Sequence, residues 1–285
     1  MATDLQSLLA PFLDSTPQAE AGVERPFGYE PFTMPIRGLA GMAEREPNAH
    51  WLEALRKADK LVAETQYIAT PSDNEIDITE YAEDGGALHT QLFAIQIIKH
   101  SARGETLSVA AGIGVDFWGE LAKLRCIKAM AVEAGIELEL HVHGLASNMV
   151  QADGYSNILR LSTMALVAHL AGANTVYLPP FSANDTRLHK SVRENIHNLL
   201  VHEARLPNGQ SALTGIYWLD LLCLRLLGAA QSIAGGKALE DTDEAVAARR
   251  RAHAAEGKQV WVGQNRYQNE LLTIAGPEPA AYHPW

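Results

Sequence analysis

Residues 138–205 read LELHVHGLASNMVQADGYSNILRLSTMALVAHLAGANTVYLPPFSANDTRLHKSVRENIHNLLVHEAR. The run from Ile136 to Val142 is a strand, and a polar loop follows it. Asn157–Ala171 has helical apolar spacing and stops at Gly172. Thr175–Leu178 is a second strand, ended by Pro179-Pro180, and 185–203 is a second helix. Strand, helix, strand, helix with short links is the signature of parallel βα units.

The same alternation extends upstream. Residues 48–64 form a helix that Asn48 can cap. Short strands follow at 65–69 and 75–79, then a polar loop at 80–86 and a helix at 87–100. Thr106–Ala111 is a strand, and Phe117–Ala134 is a helix stopped by Gly135. Right-handed crossovers leave two architectures, an open doubly wound sheet or a (β/α) barrel. No GxGxxG follows a strand, so nothing favours a dinucleotide site. Downstream, 215–233 and 242–255 read as helices.

The ends differ from this body. Residues 1–47 form an arm whose prolines at 26, 31 and 35 forbid a long helix. The aromatics Phe27, Tyr29 and Phe32 suit an ordered arm lying on another surface. Residues 276–285 form a proline-rich tail. The body between them is placed at 48–275 as one domain.

Composition narrows the function. The 285 residues carry a formal charge of -11, with 47% hydrophobic and 20% charged residues. Such a balance argues against nucleic acid or an anionic membrane as main partner. The N-terminus has no cationic lead or long apolar run, so a cytoplasmic location is expected. Cys126 and Cys223 are the only cysteines. They read as buried free thiols, and no CxxC pair offers a thiolate zinc site.

His141 and His143 alternate along one strand and share a face. They suit a substrate carboxylate or thioester oxygen, or a hydrogen-bonded polar layer. His-x-His also occurs in metal hydrolases, but His169, His189, His197 and His202 all fall in helical patterns. No metal is therefore expected. Ser108, Ala110 and Gly112 alternate with small side chains, which would leave room for a threaded ligand arm. Gln151, Asp153 and Asn157 sit at a loop-to-helix junction where Asp153 or Ser156 can cap the helix. Tyr81, after a strand, can donate to a substrate oxygen. Arg160 reads as a structural ion-pair partner, and Arg249-Arg-Arg251 as a solvated helix face.

Several segments together resemble the substrate-binding barrel of the cobalamin-dependent acyl-CoA mutases of the methylmalonyl-CoA mutase type. They are Asp84-Gly-Gly-Ala87, Ser108 to Gly114, Glu120-Leu-Ala-Lys-Leu-Arg125, Asn157-Ile-Leu-Arg160 with Ala165 to Gly172, Asn174 to Phe181, Arg193 to Glu203, and Val262-Gly-Gln-Asn-Arg-Tyr267. They occur in the family's order over about residues 75–270. The resemblance implies a TIM-barrel-type fold and an acyl-CoA ligand. It offers His141, His143 and Tyr81 as catalytic candidates, with Ser108, Gln151 and Asn157 on the substrate.

Departures from the family pattern shape the expectation. Tyr81 stands where catalytic members have histidine, Thr106 where they have arginine, and His143 where they have glutamine. The cobalt-ligating D-x-H-x-x-G signature does not occur in this sequence. The resemblance is closest to the family's non-catalytic small subunits, in shortened form. It implies a partial barrel completed by oligomerisation, or a complex with a mutase partner. Adenosylcobalamin would then enter only through a separate B12-binding subunit. The expected function is a barrel subunit with reduced or no isomerase activity. The alternatives are an active mutase borrowing a B12 subunit, a metal-dependent hydrolase using His141 and His143, and a CoA-ester binding module.

Overall fold

Helix α3, Phe117–Ala134, is the hub of the helical layer. The Asp116 side chain accepts from the Gly119 backbone N–H at its start, and Gly135 ends it at φ 71°. Every residue from Gly119 to Ala131 is buried. The helix is therefore covered on all sides, and it makes contacts with helices before and after it in the chain.

The computed structural model describes residues 49–61, 63–71, 75–79, 88–101, 106–150, 153–182, 186–204, 206, 216–235, 252, 255, 256 and 262. The arm at 1–47, Asn48, the stretch 80–87 with Tyr81, Gln151, the arginines at 249–251, the segment 263–267 and the tail lie outside them, as does nearly all of the helix expected at 242–255. In chain order the other elements are α1 (Ala49–Ala58), β1 (Gln66–Ile68), β2 (Ile76–Asp77), α2 (Leu88–Ser101) and β3 (Thr106–Ile113). After α3 come β4 (Glu137–Gly144), α4 (Gly154–Ala171), β5 (Thr175–Tyr177), α5 (Thr186–Asn198) and α6 (Tyr217–Ala234).

Helix α1 ends earlier than its apolar pattern predicts, with the chain turning at Asp59 and Lys60. Strand β3 runs two residues past the expected Ala111, because Gly112 and Ile113 stay paired with His143 and Gly144. Helix α5 does not continue as one α-helix to Glu203. It passes into a π turn over Leu199–Glu203.

The sheet is parallel, in the order β1-β5-β4-β3-β2. From β2 to β5 each strand lies beside the next one in the chain. A doubly wound sheet reverses direction at a switch point; this run does not. The winding is compatible with a barrel-type domain. Leu107, Val109, Ala111, Ile113, Leu140, Val142 and Val176 point to one face, where they join a single apolar cluster fed by all the helices named. Ser108, Ala110, Gly112, His141, His143, Thr175 and Tyr177 alternate with them and face the other way. One side of the sheet is thus an apolar base for helices, and the other is polar.

Buried charges tie the helical layer together. Arg125 of α3 donates from Nε and Nη2 to the two carboxylate oxygens of Asp59, at 2.9 and 2.7 Å. It also reaches Asp220 of α6 at 2.9 Å. Lys123, 0% exposed, pairs with Glu120 and donates to the Gly112 carbonyl at 2.6 Å. Glu120 accepts from the Gly114 N–H at 2.9 Å. These residues come from the motif Glu120 to Arg125, and here they fasten α3 to the end of β3 and to its helical neighbours. Lys128, farther along α3, donates to the carbonyls of Leu61 and Ala171 at 2.8 and 2.9 Å. Burial lowers its pKa to about 8. Cys126 and Cys223 are both buried and free. Among the described residues no helix is long and apolar enough to cross a membrane.

Candidate active site on the polar face of the sheet

The register places Ala110, His141 and Thr175 in one row, and Gly112, His143 and Tyr177 in the row two residues on. His141 and His143 therefore share the polar face, as their spacing predicts. His141 is held at both ring nitrogens. Its Nε2 lies 2.7 Å from Ser108 Oγ and its Nδ1 lies 2.7 Å from Thr175 Oγ1. His143 packs edge-on against Tyr177, with ring centroids 5.8 Å apart.

Glu75, just before β2, is the residue that the sequence reading did not single out. Its Oε1 lies 3.4 Å from His141 Nδ1 and its Oε2 lies 3.4 Å from His143 Nε2. Strand β3 stands between β2 and β4, so this contact is made across it on the polar side. The Glu75 side chain is only 4% exposed. Neither Glu75 Oε2 nor His143 Nε2 has a hydrogen-bond partner among the described residues. Burial holds the His143 imidazole below its usual range, while Glu75 and Asp77 pull the other way.

Ser108 thus joins His141 and His143 in one cluster, with Thr175 and Glu75 added. The room expected beside Gly112 is filled. A Cβ there would sit 2.8 Å from Leu145 Cδ2 and 3.4 Å from Thr79 Cβ. The chain after β4 folds back, with the Leu145 N–H on the Ile113 carbonyl at 2.9 Å, and so lays Leu145 over β3. The glycine admits a neighbouring side chain at a point where an open channel was expected.

Asn157 lies apart from this cluster, buried at the start of α4. Its Oδ1 accepts from the Val150 N–H at 2.9 Å and from Arg160 Nη1 at 2.8 Å. Its Nδ2 donates to the carbonyls of Val150 and Phe181, at 2.7 and 2.8 Å. Both lone-pair directions and both N–H groups are used within the protein. Asn157 therefore clasps the loops after β4 and β5 together. Arg160 bonds to Asn157 and to the Val262 carbonyl, and its charge also faces the Asp153 carboxylate. Asp153 is the cap of α4, accepting from the Ser156 N–H at 3.0 Å. Tyr81 and Gln151 lie outside the described residues.

No three His, Cys, Asp or Glu side chains converge as a metal shell among the described residues. Two of the helical histidines illustrate the reason. His169 sits on α4 near the Leu206 carbonyl, and His197 on α5 stacks on Tyr67 with centroids 4.5 Å apart.

No protein-family model matches the chain. Methylmalonyl-CoA mutase of Escherichia coli (strain K12) is 26% identical over 188 residues, which is 57% of this chain and 26% of that protein. The mitochondrial enzyme of Homo sapiens is 27% identical over 191 residues, 58% of this chain and 26% of that protein. The enzyme of Cereibacter sphaeroides is 25% identical over 240 residues, 70% of this chain and 34% of that protein. The matched region is about a quarter to a third of the length of these curated relatives. The chain is thus distantly similar to methylmalonyl-CoA mutases over more than half of its length.

Proposed function

We propose that the chain is a mutase-like barrel-type subunit that binds an acyl-CoA ester on the polar face of its sheet. The distant homology to methylmalonyl-CoA mutase is the observation that carries this reading. The winding of β2 to β5 and the polar cluster at His141 and His143 agree with it. Its own isomerase activity is reduced or absent, as in the small-subunit type, and it works as a homo-oligomer or beside a mutase partner.

The residues present do not suit cobalt ligation. His141 has Ser108 and Thr175 at its ring nitrogens, and His143 faces the buried Glu75 carboxylate. Adenosylcobalamin, which supplies the radical in the full enzymes, would belong to a separate B12-binding subunit. What this chain contributes is the binding and shielding of the acyl thioester.

Thermal unfolding with methylmalonyl-CoA, propionyl-CoA, free CoA and adenosylcobalamin tests the reading. The acyl-CoA esters raise the melting temperature, and adenosylcobalamin alone does not. An unchanged melting temperature with every CoA ester at millimolar concentration rejects it. Size-exclusion chromatography giving a stable monomer at micromolar concentration rejects the oligomeric part.

A further inference from the structure

The contacts around His141 have a chemical direction. Ser108 Oγ is 2.7 Å from Nε2, while the opposite nitrogen, Nδ1, faces Thr175 Oγ1 at 2.7 Å and the Glu75 carboxylate at 3.4 Å. An ionised carboxylate accepts and cannot donate. A lone pair on Nδ1 would face that negative charge, so the proton belongs on Nδ1. The Nε2 lone pair then points at Ser108, and the serine hydroxyl is the donor. The Thr175 hydroxyl accepts from Nδ1–H and fixes the plane of the ring. Ser108 and His141 are only partly buried, whereas the Glu75 side chain is covered.

We propose that Ser108, His141 and Glu75 form a nucleophile, base and carboxylate set that accepts an acyl group from an ester or thioester. The roles are those of a serine triad, with the difference that Thr175 takes the Nδ1–H hydrogen bond while Glu75 stands 3.4 Å from Nδ1. In the first step Ser108 Oγ bonds to the acyl carbonyl carbon, and His141 Nε2 takes the serine proton. The carbon–sulfur or carbon–oxygen bond of the leaving group breaks, and His141 returns its proton to the departing thiolate or alkoxide. In the second step water gives a proton to His141 and its oxygen attacks the acyl-serine. The acyl–Oγ bond breaks, His141 returns its proton to Ser108 Oγ, and the carboxylic acid leaves. No oxidant or reductant is consumed. Glu75 is a positioning residue that steadies the transient imidazolium.

The set lies towards the N-terminal half of β3, below the strand ends where barrel enzymes ordinarily carry their chemistry. It is thus a second activity beside the binding role proposed above. That the leaving group is CoA rests on that role, but the reactivity of Ser108 does not.

The test is covalent labelling of the full chain with a fluorophosphonate, read by intact mass and peptide mapping, alongside thiol release from acetyl-CoA and propionyl-CoA. One adduct is expected, on Ser108, and S108A should lose it while melting at the wild-type temperature. H141N should slow labelling by about 100-fold or more. E75Q should slow it by about tenfold or more, and E75D should restore most of the rate. Labelling without acyl-CoA hydrolysis or acyl-CoA stabilisation supports the triad and removes the CoA reading. No adduct, an adduct on another residue, or equal labelling of S108A overturns the triad. Labelling that E75Q leaves unchanged removes Glu75 from it.

Discussion

Asp59→Ala is the sharpest probe of the helical layer. The substitution removes both carboxylate oxygens that Arg125 grips at 2.9 and 2.7 Å. Arg125 stays buried, with Asp220 as its remaining carboxylate partner among the described residues. A hydrogen bond to a charged group contributes about 1.5–3 kcal/mol, so two account for about 3–6 kcal/mol. Breaking a buried pair from one side costs about 3–5 kcal/mol by independent measure. A loss of about 4 kcal/mol is expected. Arg125→Met should cost as much, because it strands the Asp59 charge in the core. The paired change Asp59→Leu with Arg125→Met strands neither of these two charges, leaves only the part-exposed Asp220 without Arg125, and should cost less than either single change. Urea denaturation followed by circular dichroism measures all four proteins. With a slope of about 3 kcal/mol per molar, the single variants shift the midpoint by about 1.3 M. A single-variant loss below about 1 kcal/mol, or a double variant as unstable as the sum of the singles, refutes the reasoning.

Asn157→Ala deletes bonds to Val150 and Phe181 and should destabilise by about 2–4 kcal/mol, read by chemical denaturation; a loss under about 1 kcal/mol would mean that water replaces them. Gly112→Ala drives a methyl into Leu145 and should cost about 1–3 kcal/mol in the same assay, with Leu145→Ala in the same chain relieving the clash. Lys128 gives a pH signature. Its folded pKa is about 8 and the ordinary lysine value is 10.5, so between those values the unfolded chain holds the proton and the folded chain does not. Stability contributed there is full above the upper value and is lost as pH falls through the lower. Urea midpoints should therefore rise from pH 8 to 9.5 by part of a limit near 3 kcal/mol, and Lys128→Met should flatten the rise.

Local signals account for the parts of the fold that the sequence shows. Helix α3 is legible from its apolar spacing and from Gly135, and α4 from Gly172, because a left-handed glycine stops a helix without help from distant residues. The histidine pair is legible because alternation puts both on one face. Glu75 is not. It sits before a two-residue strand, and its partners lie on β4, so only the folded sheet brings them together. Winding is equally hidden, since the βα rhythm is the same for an open sheet and a barrel. The roles of Glu120, Lys123 and Arg125 escape a sequence reading for another reason. Charges in a helix suggest a solvated face, and here the helix has none. The small side chains on β3 mislead in the opposite sense, because nothing local shows Leu145 folding back over Gly112.

Among the described residues the sheet is thick in the middle and thin at its margins. Strands β3 and β4 pair over eight residues, while β1 offers three and β2 two. A partner adding itself to either margin would find only a few backbone rungs to climb. Association driven by strand addition would be feeble and easily out of register. If copies of this chain assemble, their affinity and alignment have to come from side-chain surfaces, and mutations that alter assembly should map to helices and not to strand margins.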